Sequence, residues 1–156
     1  MSSKKLKLKI ITPERLILEE MVDHVVIPST EGEITILPGH VPLISGLASG
    51  DVVAFTGKEY VPMAVVGGFL EVKSRPEASG KNIQYVTEVA VLADFAEPVA
   101  ELTDEKIAQA KRKAEELKKQ MANKDQVDFE HFEAELERSL TRVKIADKWR
   151  SKKYRK

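Results

Sequence analysis

The sequence contains no cysteine. No disulfide, thiolate nucleophile or cysteine-based metal centre can form, and a reducing compartment is allowed without being proved. No apolar run approaches the about 20 residues that a helix needs to cross a bilayer. The start, Met-Ser-Ser-Lys-Lys-Leu-Lys-Leu-Lys, has charges but no apolar block behind them, unlike a secretion signal. Any membrane association is therefore expected to go through partners. Neither charge sign is in excess: 25 Lys and Arg balance 25 Asp and Glu, which argues against a dedicated nucleic-acid binder.

Catalytic signatures are also missing. The three histidines, His24, His40 and His131, fall in a predicted strand, a turn and a helix, with no HxH or HExxH spacing. There is no GxSxG elbow and no P-loop string. Gly67-Gly68 lacks the further glycine spacing of a dinucleotide fingerprint and reads as a turn. Asp23-His24 has no Ser or Cys partner nearby. No nucleophile set and no metal set emerge, so neither an enzyme nor a metal protein is expected.

What is present divides into two parts. The chain has 156 residues, 42% hydrophobic and 32% charged, enough apolar matter for a core under a well-solvated surface. Residues 5–95 read as short strands. Lys5 to Ile10 alternates strictly. Further runs follow at Arg15–Glu20, Val22–Ile27, Asp51–Phe55, Lys58–Val66, Phe69–Val72, Ile83–Thr87 and Val89–Leu92. Pro62 is expected to force an edge or bulge, and Lys73 to Lys81 is expected to be a loop. Eight to ten short strands with Gly and Pro turns predict an all-β sandwich or flattened barrel.

After Pro98 neither Gly nor Pro recurs, and the period changes. Thr103 is the expected N-cap of a helix, with Asp104 and Glu105 in its first turn. Leu102 and Ile107 stand where a hydrophobic staple would. Ile107, Ala110, Ala114, Leu117 and Met121 form one narrow seam. Asn123-Lys124-Asp125 is the expected break, with Asp125 a second N-cap. Phe129, Phe132, Leu136, Leu140 and Val143 form the seam of a second helix, giving an antiparallel hairpin. The domains expected are residues 1–95, β, and residues 96–156, a helical hairpin with a basic tail. Two narrow seams bury little, so the hairpin should lie on its own β domain or on a partner, which makes it a candidate switch.

Charge is segregated in the second helix. Glu130, Glu133, Glu135 and Glu137 are followed, from Arg138 to Lys156, by nine bases and one acid, Asp147. This is either a solvated helix end suited to the dipole or an arm for an acidic surface, phospholipid or nucleic acid. Trp149, the only tryptophan, lies inside it.

The most specific stretch is Glu31-Gly32-Glu33-Ile34-Thr35-Ile36-Leu37-Pro38-Gly39-His40-Val41-Pro42. On its turn residues alone it is a strand between two tight turns. As a whole it resembles the signature of the epsilon subunit of rotary F-type ATP synthases, a family that includes the chloroplast epsilon and mitochondrial delta subunits. Gly67-Gly68-Phe69-Leu70-Glu71-Val72, Val91-Leu92-Ala93-Asp94 and Ala110-Lys111-Arg112-Lys113-Ala114-Glu115-Glu116 resemble further segments of that family.

The resemblance implies an N-terminal β sandwich of about ten strands followed by a C-terminal antiparallel two-helix hairpin. It implies a non-catalytic rotor subunit at the foot of the central stalk. Its partners would be the gamma subunit, the c-ring and the catalytic alpha and beta subunits, on the cytoplasmic face of a bacterial inner membrane. Glu31, Gly32, Glu33, Pro38, Gly39 and His40 would meet the c-ring or gamma, with Glu33 the expected ring contact. Arg138, Arg142, Lys144 and Lys148 would meet an acidic segment of the catalytic subunits and block hydrolysis. Some bacterial members bind ATP through an Ile/Leu-Asp-x-x-Arg-Ala motif. Here Leu102 matches, but Thr103, Lys106 and Ile107 replace Asp, Arg and Ala, so ATP binding is expected to be weak or absent and no cofactor is expected. The stretch Ser74 to Lys81 looks longer than in typical members. The competing reading is an adaptor that applies its basic arm to anionic lipid or nucleic acid, which leaves the Glu31–Pro42 signature without a role.

Overall fold

The computed structural model describes residues 4–122 and 129–153. The chain forms two compact units, Met1–Glu97 and Pro98–Lys156.

The first unit contains β1 (Leu6–Ile11), β2 (Leu16–Val22), β3 (His24–Ser29), β4 (Gly32–Ile36), β5 (Leu43–Gly46), β6 (Gly50–Thr56), β7 (Glu59–Ser79) and β8 (Asn82–Pro98). They make one eight-stranded hydrogen-bonded sheet in the order β2-β1-β8-β7-β6-β3-β4, with β5 on β7. β1 pairs antiparallel with β2 and parallel with β8. Five of the strands turn apolar residues toward one cluster: Leu6, Leu8 and Ile10 of β1, Val25 and Ile27 of β3, Ile36 of β4, Val52 of β6 and Val89 and Val91 of β8. A single sheet can share one core this way only by curling over itself, as a sandwich does. Each fully buried Leu, Ile or Val contributes about 1.5–3 kcal/mol.

The strands number eight rather than about ten because two are long. Gly67-Gly68 bends β7 instead of ending it. Buried core residues run Met63, Val65 before the pair and Leu70, Val72 after it, so the alternation changes parity there. The expected Lys73–Lys81 loop is instead the tip of a hairpin: β7 continues to Ser79 and β8 starts at Asn82. Gly80, at φ 63°, supplies the turn. Pro62 causes no bulge in the ladder with β6. It sits opposite Val53, three pairs from the hairpin-closing Thr56–Glu59 pair. Pairs alternate along an antiparallel ladder, so this one is not hydrogen-bonded toward β6 and needs no N–H there.

Among the described residues three ion pairs join neighbouring strands, two of them on Glu88. Lys7 Nζ meets Glu19 Oε1 at 2.9 Å, and this hydrogen bond and charge raise the Lys7 pKa and lower that of Glu19. Glu19's share of stability is present above the ordinary carboxylate range and lost as pH falls through its lowered value. Lys7's share is present below the ordinary lysine range and lost as pH rises through its raised value. Both groups are well exposed, so solvent and salt keep the contribution small. Glu88 differs. It is buried, with Arg75 Nε at 2.8 Å and Lys9 Nζ at 3.5 Å.

The second unit opens with a short 3₁₀ turn (Val99–Glu101), then α1 (Asp104–Met121) and α2 (Phe129–Lys153). Thr103 caps α1: its hydroxyl accepts a hydrogen bond from Lys106 N at 3.3 Å. We expect Thr103→Ala to cost about 1 kcal/mol. An unchanged melting curve of the helical circular dichroism signal would contradict this cap. Ile107, Ala110, Ala114 and Leu117 are buried, as their spacing predicts.

α2 departs from expectation. Leu140 is 42% exposed, while Ser139, Thr141, Ile145 and Ala146 are buried. The inner face therefore runs through small and polar residues that an apolar count skips, and continues into the stretch read as a basic arm. Small Ser139 and Ala146 suit close approach to the small Ala110 and Ala114 of α1. Lys113–Glu135, at 3.3 Å, and Arg150–Asp104 link the helices. The expected break, the Asp125 cap and the side chain of Phe129 lie outside the described residues. Among the described residues no helix is long and apolar enough to cross a membrane.

Candidate functional site

The Glu31–Pro42 stretch becomes β4 with a turn at each end. At the first end Ser29 pairs with Gly32 across the β3–β4 hairpin. The buried Ser29 hydroxyl donates to Gly32 O at 2.5 Å and accepts from Glu31 N at 3.2 Å. Thr30 N donates to Gly46 O at 3.0 Å. The turn is thus held from two sides, and Gly32 takes φ 118°, which favours glycine. Glu31, Gly32 and Glu33 all face solvent. The product is a rigid turn presenting two carboxylates.

At the other end Leu37 to His40 form a type II turn. Pro38 and Gly39 take the central places, Gly39 has φ 89°, and His40 N donates to Leu37 O at 3.1 Å. Gly39 N donates to the Thr87 hydroxyl at 2.7 Å, which fastens the turn to β8. His40 Nδ1 lies 2.7 Å from Val41 O, and because a carbonyl only accepts, Nδ1 carries the proton of this bond. The two turns are separated by the length of β4, about 16 Å at 3.3 Å per residue. They are two contact points and not one.

Sequence reasoning missed the apolar surroundings of these turns. Leu37, Val41 and Ile44 are large, apolar and exposed, on or just after the second turn. Met21, Ile83 and Tyr85 are exposed as well. Contiguous exposed apolar residues mark interaction surfaces. A cleft of about 470 Å³ opens beside the Pro38-Gly39 turn, lined by Lys4, Lys5, Met21, Tyr85, Val86 and Thr87 among others.

The helical candidates separate. Leu102 is buried, and Thr103 spends its hydroxyl on capping. Lys106 is exposed, and Asp104 is ion-paired with Arg150. A nucleotide phosphate would find a lysine there but no guanidinium fork. The four α2 bases do not share a face. At about 100° per residue, Arg138 and Arg142 form one row and Lys144 and Lys148 another, about 120° away. The arginines lie half-buried on the inner side, and the lysines are exposed. Among the described residues no group of three or more His, Asp or Glu is placed to hold a metal.

Comparison with known proteins gives a consistent result. The beta-sandwich domain of the ATP synthase delta/epsilon chain matches residues 5–76. The ATP synthase epsilon chain of Dehalococcoides mccartyi is 41% identical over 148 residues, covering 94% of this chain and 95% of that one. That of Syntrophobacter fumaroxidans is 35% identical over 147 residues, covering 94% and 98%. Among solved structures, a chain of the Euglena gracilis mitochondrial ATP synthase (OSCP, F1 and c-ring) superposes with TM-score 0.58 at 22% identity, covering 96% of this chain and 82% of that one, a likeness of fold.

Proposed function

The chain belongs to the epsilon-chain family of ATP synthases, as a non-catalytic subunit of that assembly, and from that premise we propose that it is a rotor subunit coupling the c-ring and gamma subunit to ATP synthesis. The observation that carries this reading is the pair of exposed turns at the two ends of β4, each pinned by hydrogen bonds to a neighbouring strand. A rigid turn loses little entropy on docking, so its contacts can transmit torque. Glu31, Gly32 and Glu33, with Glu33 foremost, and Pro38, Gly39 and His40 contact the c-ring and gamma. The subunit is peripheral on the cytoplasmic face of a bacterial inner membrane and is held there by the complex.

The hairpin acts as a brake on hydrolysis. Lys144 and Lys148 are placed to meet an acidic segment of the catalytic subunits first. Arg138 and Arg142 would join only when α2 separates from α1, because they lie on its inner side. ATP binds weakly or not at all, since Thr103 is occupied as a cap and Lys106 stands where a fork is needed.

The test adds the full chain to a matching catalytic core that lacks this subunit, and measures ATP hydrolysis. A truncation ending at Glu101 and the full-length variant Lys144→Glu/Lys148→Glu are run beside it. We expect all three to bind, the full chain to slow hydrolysis severalfold, and both variants to slow it less. Binding without slowing by any of them would remove the brake and leave the coupling role. Failure of the full chain to bind would remove both.

A further inference from the structure

The hairpin of β7 and β8 extends past the sheet. β1 pairs with β8 only from Glu88 onward, β5 meets β7 at Phe69–Val72, and β6 meets it at Glu59–Val65. Among the described residues, 73–79 and 82–87 therefore have only each other as strand neighbours. An isolated two-stranded ribbon is marginal in water. This one is anchored at its base, where buried Glu88 holds Arg75 of β7 and Lys9 of β1.

One face of the arm is out of character for a free surface. Ile83, Tyr85 and Thr87 alternate on the same side of β8. Thr87 is buried against the Gly39 turn, whereas Tyr85 is 74% and Ile83 69% exposed. Tyr85 forms a wall of the cleft that also contains Met21, Pro38, Lys4 and Lys5. Lys4, Lys5 and Lys81 are exposed and make no ion pair among the described residues. The surface thus combines apolar side chains of Met21, Pro38 and Val86, the Tyr85 ring and lysines that have no counter-charge among the described residues.

We propose that this arm and cleft form a docking site for an acidic protein segment on a neighbouring subunit of the same assembly, which seats an apolar side chain against Tyr85 and Met21 and its carboxylates on Lys4 and Lys5. The proposal rests on the family reading above and adds to it a contact outside the β4 turns. Charge complementarity selects an acidic partner. The concave shape selects a folded protein with a protruding side chain over a flat bilayer. The cleft shares the Pro38-Gly39 turn with the proposed stalk contact, so one partner surface can cover both. Because the base is fixed before docking, little of the arm remains to be ordered.

The experiment uses the full chain and a matching complex that lacks this subunit. Affinity is measured for the natural chain, Tyr85→Ser, Lys4→Glu/Lys5→Glu and Lys4→Arg/Lys5→Arg, each first checked for native circular dichroism. A photoreactive amino acid at position 85 is crosslinked in the assembled complex. Binding to phosphatidylglycerol vesicles is measured in parallel. We expect the serine and the double glutamate variants each to raise the dissociation constant about tenfold. The double arginine variant should bind as the natural chain does, and the crosslink should fall on an acidic stretch of a neighbouring subunit. Natural affinity in both disruptive variants overturns the docking site while leaving the family reading intact. Tyr85-dependent vesicle binding with crosslinks only to lipid replaces the protein partner with a membrane. Failure of the natural chain to bind the complex overturns both readings together.

Discussion

Gly68→Ala lowers the stability of the β unit by about 4 kcal/mol or more, placing it among the most damaging single changes available to this chain. Two causes act together. Gly68 has φ 101°, a conformation that costs an L-residue about 1–3 kcal/mol. A Cβ there would also lie 2.0 Å from Leu92 O and 3.0 Å from Leu92 C, both backbone atoms of β8. Backbone inside a sheet cannot step aside without breaking its ladder. Gly67→Ala is the internal control. Its Cβ would meet Asp94 Oδ2 at 2.6 Å, the end of a side chain that can swing away, and its φ is 60°. We expect about 1–2 kcal/mol there, mostly from the left-handed backbone. At about 4–8 °C per kcal/mol for a unit of this size, thermal denaturation separates the two variants easily. Equal melting points for Gly67→Ala and Gly68→Ala would contradict the close approach of β7 to β8.

Glu88→Ala costs about 2–3 kcal/mol. Glu88 is only 4% exposed and sits between Lys9 and Arg75, so its removal leaves two cations beside a small apolar cavity. Arg75 is half-exposed and can rehydrate, which keeps the loss below that of a fully buried pair. The conservative Glu88→Gln keeps the volume and one acceptor and should lose roughly half as much. The change also loosens the arm, so amide hydrogen exchange at residues 74–87 should accelerate by more than the global loss of stability explains. Uniform acceleration over the whole β unit would show that Glu88 supports the core and not the arm.

Much of this architecture was legible in the sequence, and the reasons are local. Lys5 to Ile10 alternates because one face of β1 is buried. The α1 helix announces itself through Thr103, Asp104 and a seam with no competing pattern. The β4 turns were legible because Gly and Pro force specific dihedrals. The strand count was not, because Gly67-Gly68 and Pro76 look the same in sequence whether a strand ends there or runs on. In α2, hydrophobicity alone selects Leu140 over Ser139, yet close helix packing favours the smaller residue. Least legible was the exposed apolar surface. Alternation says that Ile83, Tyr85 and Thr87 share a face, but not which of them is covered. The bond from Gly39 to Thr87 decides that, across 48 residues of chain.

The parallel pairing of β1 with β8 also bears on how the chain reaches this state. The strand synthesised first is completed by the one synthesised last in its unit, with Lys7 settling beside Glu88. Until β8 arrives, β1 and β2 can form a hairpin but leave an open ladder and an uncovered apolar face, the condition in which nascent sheets aggregate. Such sequence-distant closure also makes folding slow relative to a helical unit. Lys5, Lys7 and Lys9 alternate with the waiting Leu6, Leu8 and Ile10. Charges in that arrangement oppose edge-to-edge association of two unfinished chains. The lysine-studded N-terminal strand is thus fitted for the interval before its last neighbour is made.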